Sequence, residues 1–352
     1  MLAEDLNGVD LIVTNMHRNF TGVTSTTVAV VLNQEKKYRM FIAGRALPGC
    51  QSSISLRRAI LCSRRPTPGH RHVLWHVRRN NEMRVALFAR DVLGLPIRTV
   101  FTSAAQRRHS TIPRWLISRM DAVIATSETA ASYVPNVRAV VHHGVDTDRF
   151  YPATNRLSAW RKLGYPGKFG VATIGRIRPE KGTDIFVDAM IRILPEFPEV
   201  TALIIGKVSP SQRRYQGELR RRIDAAGLTQ RVLFTGEVSW IQLPDIMRSL
   251  SLLIAPPRYE GYGLTPLEAM ASGVPVVATD RGHFSAFIGN NEAGALVDTP
   301  DPSQIASAVT ALIGNPIEMK RRSLQARRRA VGSFNVNSEI DGIHKVYEEL
   351  WT

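Results

Sequence analysis

Short β-branched runs recur along this chain with longer helix-periodic stretches between them, and that alternation restricts the fold more than any other feature. VDLIVTN, YRMFIAG, HRHVLWH, IRTVFTS, DAVIATS and RAVVHHG read as strands in the first half, and KFGVATIG, VTALIIG, RVLFTG, SLLIAPP and VPVVATD in the second. Segments such as TDIFVDAMIRILPEF and YQGELRRRIDAAGL carry the helical period between them. Continuous apolar strands are buried on both faces, and a strand–helix–strand order implies parallel sheets wound right-handedly. The predicted class is α/β, with two doubly wound Rossmann-like domains, since 352 residues suit two cores better than one. The strand pattern pauses at HHGVDTDRFYPATN, which divides the chain into 1–150 and 151 onward. Ligands of open α/β sheets sit at the carboxyl ends of the strands, so two such domains facing each other predict an interdomain cleft lined by strand-end loops.

The formal net charge is +16, and residues 1–150 hold 21 Lys and Arg against 10 Asp and Glu. Such an excess suits a polyanionic partner, either nucleic acid or an anionic membrane. No zinc-finger spacing, RNP motif or basic zipper accompanies it, so a nucleic-acid reading rests on charge alone; solubility is the plain alternative. Cys50 and Cys62 lack metal or redox spacing and are expected as free thiols in a reducing compartment. The start, MLAEDLNGVDLIVTN, is acidic, unlike a signal peptide, and the apolar runs are too short to cross a bilayer. The expectation is a cytoplasmic protein.

Several strand-end loops combine charge with glycine. GRIRPEKG carries Arg176 and Lys181 ahead of a helix expected to start near Thr183. A diphosphate needs cations and backbone N–H groups, and a loop feeding a helix supplies both; two solvated charges on a surface turn fit the same residues. LIIGKV ends in Gly206 and Lys207, and LFTGEVS runs through Gly236 to Val238. Glycine there either lets a planar group approach the backbone or makes an ordinary turn. RYEGYGLTPLEAM places Glu260 before a glycine-rich turn and Glu268 just inside a helix. Thr265, Pro266 and Glu268 fit a capping box, with Thr265 as N-cap, Pro266 first and Glu268 third in the helix. Glu260 has no such duty. A carboxylate beside GYGL can accept from sugar hydroxyls while the N–H groups of the turn favour other hydroxyls or a phosphate.

In this order and spacing, HHGVDTDRF, GRIRPEKG, FTGEVS and PPRYEGYGLTPLEAMASGVPVVATD resemble the retaining glycosyltransferases of family 4, which have the GT-B fold. LWHVRRNNEM, FTSAAQRRH and RWLISRMDAVIATS are further similar to lipopolysaccharide-core mannosyltransferases that use GDP-mannose. The resemblance implies a hexosyltransferase with an N-terminal acceptor domain (1–150), a C-terminal nucleotide-sugar domain (151–334) and a helix, 335–352, returning to the first. It implies that Arg176 and Lys181 neutralise the donor diphosphate and that Glu260 contacts the donor sugar. Backbone N–H groups of Gly263, Leu264 and Thr265 would meet its hydroxyls or the distal phosphate. Glu268 would bind the ribose, the backbone near Val238 would read the base, and Lys207 would line the same pocket. Gly22 and Val23 match the loop that lies under the donor phosphates. The chain departs from the family pattern at three places. Thr102 or Ser103 stands where many members have a cleft histidine, and His109 lies too far along to substitute. His283 and Ala286 replace a glycine and a glutamate, and His143 replaces an asparagine.

Asp146 and Asp148 form an Asp-x-Asp in the joint, but the cationic pair already answers the phosphate's charge, so no metal cofactor is expected. His70, His72 and His76 make no convincing metal triad. The acceptor is expected on the first half. There Leu56, Ile60 and Leu61 lie among Arg57, Arg58, Arg64 and Arg65, and Trp115, Leu116 and Ile117 lie among further arginines. Basic residues beside apolar ones suit an anionic glycolipid on the inner face of the cytoplasmic membrane; amphipathic core helices with solvated faces fit equally. Other readings are a different nucleotide-sugar donor (UDP- or ADP-sugar) with a soluble acceptor, an enzyme that isomerises or hydrolyses a nucleotide sugar, and a basic nucleic-acid-binding protein.

Overall fold

The computed structural model describes residues 8–18 and 21–352. The chain divides into two compact units, one running from the N-terminus to Gly144 and taking in Val336–Thr352, the other Val145–Asn335. The division comes earlier than the break expected after residue 150. Val145 N donates to Phe334 O at 2.8 Å, which ties the start of the joint to the far end of the second unit.

In the first unit, β1 (Leu11–Asn15), β2 (Met40–Gly44), β3 (Ser53–Ile54), β4 (Val73–Val77), β5 (Ile97–Ser103), β6 (Ala122–Ala125) and β7 (Val137–Val140) form one sheet. Its order is β3-β2-β1-β4-β5-β6-β7, parallel throughout. The C-terminal helix Val336–Trp351 packs on this unit, where Gln34 Nε2 donates to Tyr347 Oη at 3.3 Å.

The second unit contains β8 (Phe169–Ile174), β9 (Val200–Ile205), β10 (Val232–Gly236), β11 (Leu252–Ala255), β12 (Val276–Thr279) and β13 (Gly294–Val297). They pair in the order β10-β9-β8-β11-β12-β13, again all parallel. Successive residues of these strands feed opposite cores. Leu253 and Val276 join a cluster with Trp160, Met270 and Phe287. Leu252, Ile254 and Val277 join another with Phe186, Met190 and Val309. Helices therefore cover both faces, which is why the strands read as unbroken apolar runs.

Candidate active site

Each sheet reverses its strand order, between β1 and β4 in the first unit and between β8 and β11 in the second. Loops leaving adjacent strands at such a reversal diverge to opposite faces and open a crevice at the carboxyl ends. In the second unit these are the loops 175–182 and 256–263, the two that carry Arg176, Lys181 and Glu260.

The first loop turns at Pro179–Lys181 and enters the helix Thr183–Ile193 through Gly182, whose φ is 69°. A Cβ on Gly182 would lie 1.9 Å from Pro256 O, so glycine alone lets the loops meet this closely. Arg258 joins them: its N–H donates to Glu180 O at 3.0 Å, and its guanidinium forks onto Asp184 at 2.8 and 2.6 Å. Tyr215 Oη donates to Asp184 Oδ1 at 2.9 Å. Burial opposes ionisation of Asp184, yet the hydrogen bonds from Arg258 and Tyr215 outweigh it and hold the carboxyl below its ordinary range. The brace sets Lys181 Nζ in an ion pair with Glu260 Oε2, while Glu260 Oε1 accepts from Gly261 N at 2.9 Å.

The capping box expected at Thr265 does not form. The helix Leu264–Ala271 starts from Gly263 at φ 81°, with no side-chain cap, so Pro266 is third and Glu268 fifth. The left-handed glycine turns the chain into the helix sooner than a threonine cap would allow. A Cβ there would lie 2.2 Å from the Phe284 ring and 2.9 Å from Glu260 Cγ. Glu268 is thereby free of capping and buried, and burial pushes its carboxyl up to about 7 against the pull of Arg149. Arg149 lies 3.1 Å from the centroid of the Trp240 ring and donates to Trp240 O. Burial draws this guanidinium down to about 10, with Glu268 and Asp146 opposing.

The remaining expected residues fall as follows. Arg176 is exposed and makes no hydrogen bond or ion pair among the described residues. Lys207 pairs with Glu237 at 3.3 Å on the surface. Val238 is half-buried against the Trp160–Met270 cluster. Gly22 and Val23 are the first two residues of the helix Gly22–Gln34 in the first unit, capped by Thr21, rather than part of the preceding loop. Asp146 Oδ1 caps its own turn, accepting from Asp148 N at 3.1 Å and Arg149 N at 3.0 Å. His70 pairs with Asp10 at 3.0 Å. Both cysteines are free thiols. Arg149, Asp184, Trp240 and Arg258 escaped sequence reasoning. The available hint was position, with Arg258 just before Glu260 and Asp184 just after Lys181.

The two basic helices of the first unit split their apolar residues between core and solvent. In Leu56–Cys62, Leu56 and Ile60 pack toward the core and Leu61 is 54% exposed. In Thr111–Ser118, Leu116 and Ile117 are core residues, whereas Trp115 is 59% and Ile112 60% exposed. Leu116 and Ile117 therefore leave the set available to a surface partner. Arg57, Arg64 and Arg65 are exposed and Arg58 is partly buried.

Residues 160–329, which span these loops, match the family described as "Glycosyl transferases group 1". The chain is 40% identical over 350 residues to the lipopolysaccharide core biosynthesis mannosyltransferase LpsB of Rhizobium meliloti (strain 1021), covering 98% of this chain and 99% of that one. It is 39% identical to the lipopolysaccharide core biosynthesis mannosyltransferase LpcC of Rhizobium leguminosarum bv. viciae, covering 98% of each. The crystal structure of Anabaena Alr3699/HepE in complex with UDP superposes with a TM-score of 0.80 at 18% identity, covering 97% of this chain and 100% of that one, a likeness of fold. A parallel doubly wound sheet in each unit and a family match lying over the braced loops agree with the full-length likeness: the chain belongs to the group 1 glycosyl transferases and is a GT-B glycosyltransferase of two Rossmann-like domains.

Proposed function

We propose that this chain moves mannose from GDP-mannose, with retention of anomeric configuration, onto a lipopolysaccharide-core or related anionic glycolipid. Two relatives matched almost end to end carry that mannosyltransferase name, which supports the sugar and the acceptor class. The observation that carries the site assignment is the Lys181–Glu260 ion pair at the strand reversal of the second unit, beside the head of the helix that holds Glu268.

On this reading the ion pair is the resting state. Arrival of the donor draws Lys181 onto the diphosphate, where Arg176 joins it, and releases Glu260 to the hydroxyls of the sugar. Backbone N–H groups of Gly263, Leu264 and Thr265 meet the sugar or its phosphate, Glu268 takes the ribose diol, and the Val238 loop with Lys207 flanks the base. The two cations stabilise the departing diphosphate, and the diphosphate takes the proton of the acceptor hydroxyl on the face it leaves. Charge stabilisation and positioning then carry the rate, and no metal is required. The first unit holds the acceptor. Trp115, Leu61 and their arginines dock it on the anionic inner face of the cytoplasmic membrane.

A panel of nucleotide sugars in chelator tests the reading. GDP-mannose should raise the unfolding midpoint most and alone support transfer to core oligosaccharide. Equal stabilisation by UDP- or ADP-sugars, or a strict need for a divalent ion, would overturn the assignment.

A further inference from the structure

The strand reversal of the first unit lies between β1 and β4, and β4 runs directly into Arg78 and Arg79. The structure uses these two arginines differently. Arg79 Nη1 pairs with Glu82 at 3.1 Å, and its Nη2 donates to Thr21 Oγ1 and Thr24 Oγ1 at 3.2 Å each. Glu82 also accepts from Arg78 N at 2.9 Å and Met16 N at 3.2 Å, which pins the loop after β1 to the end of β4.

The Arg78 backbone is therefore fixed. Its guanidinium, by contrast, makes no hydrogen bond or ion pair among the described residues, and Nη1 is closed to solvent without a partner. A buried donor left unmade is costly, and an orphan of this kind in a folded chain calls for an explanation such as a bound group.

The nearby acceptors are already engaged. Glu82 serves Arg79 and two backbone N–H groups, and Glu339 accepts from His143 Nδ1 at 2.7 Å and Gly144 N at 2.9 Å. Tyr347 Oη is shared by His76 and Gln34. A further unused group lies along the same edge. The pairs His76↔Val100 and Thr102↔Ile124, continued past the strand ends, put Arg78, Thr102 and Thr126 on one face of the sheet. Thr102 Oγ1 is engaged by His76 Nε2 at 2.7 Å, whereas Thr126 Oγ1 is buried without a partner. A guanidinium with a buried nitrogen left unbonded, and a free hydroxyl on the same face, matches an oxyanion, whose two oxygens fit the planar fork of arginine.

We propose that Arg78, with the strand-edge hydroxyl of Thr126, is a specificity site for an oxyanion on the acceptor glycan, a sugar carboxylate or a phosphate. The inference rests on the acceptor reading above and names the group that this unit recognises.

Arg78→Met and Arg78→Lys in the full chain test it with core oligosaccharide used intact, carboxyl-reduced or dephosphorylated. On the intact acceptor, Arg78→Met should raise the acceptor KM about 10- to 100-fold and leave the GDP-mannose KM unchanged. On one neutralised acceptor the wild-type chain should show the same raised KM and the substitution should add nothing. Carboxyl reduction having this effect identifies a carboxylate, and dephosphorylation a phosphate. Arg78→Lys should recover part of the loss, and should Arg78→Met fail to fold, the lysine variant carries the same contrast. An equal penalty on all three acceptors, or a raised donor KM, would overturn the inference and leave Arg78 a structural residue. If the wild-type chain transfers to none of them, the acceptor reading falls first and this inference with it.

Discussion

Glu268 is the side chain whose surroundings matter most to donor binding on this account. Its carboxyl is raised from 4.5 to about 7 by burial, with Arg149 pulling the other way. Between those pH values the folded chain holds a proton that the unfolded chain has lost. The contribution to stability is therefore full below about pH 4.5 and lost as pH rises through about 7, on the order of 3 kcal/mol. Denaturant unfolding across this range should show the decline, and Glu268→Gln should flatten it. A ribose diol donates to the ionised form, so donor binding draws the proton off. Donor affinity should rise with pH up to about 7 and level off above, and the glutamine variant should lose both the slope and the affinity. Calorimetry in buffers of different ionisation enthalpy measures the proton release directly.

At the scale of elements, the brace between the loops after β8 and β11 holds the cation and the carboxylate in register. Arg258→Ala removes the guanidinium contacts to Asp184 and Pro179 O, and a shift of about an ångström at reacting groups costs rate steeply. The expected result is a kcat lower by about 10- to 100-fold, partly restored by Arg258→Lys, with the unfolding midpoint little changed. A loss confined to stability would show the brace to be structural only. Much of this layer was legible in the sequence. Eleven apolar runs marked eleven of the strands, because parallel strands covered on both faces must be apolar throughout. The missing two, β3 and β13, are sheet-edge strands, one of two residues and the other led by glycine, too short or too mixed to stand out. The loops at the reversal were legible from charge and glycine. The cap of the following helix was not, because its start depends on Gly263 taking a left-handed conformation against Phe284, a contact set by the tertiary fold. The pairing of Arg258 with Asp184 joins residues 74 apart, and no local pattern announces such a contact.

For the whole molecule, Lys and Arg outnumber Asp and Glu in both units, and the first presents Trp115, Ile112 and Leu61 to solvent near exposed arginines. Among the described residues no helix is long and apolar enough to cross a membrane. Sedimentation with vesicles containing anionic lipid should therefore show binding at low salt that weakens as salt rises, and Trp115→Ser should weaken it at every salt concentration. Vesicles that fail to bind at low salt would remove the docking reading while leaving the donor site untouched. That site is tested most directly by single-turnover transfer of labelled mannose from saturating GDP-mannose to core oligosaccharide, comparing the wild-type chain with Lys181→Ala. Loss of charge stabilisation worth roughly 2–4 kcal/mol predicts a rate lower by about 30- to 1,000-fold in a variant that remains folded. A Lys181→Ala chain that transfers mannose at near wild-type speed would contradict the account.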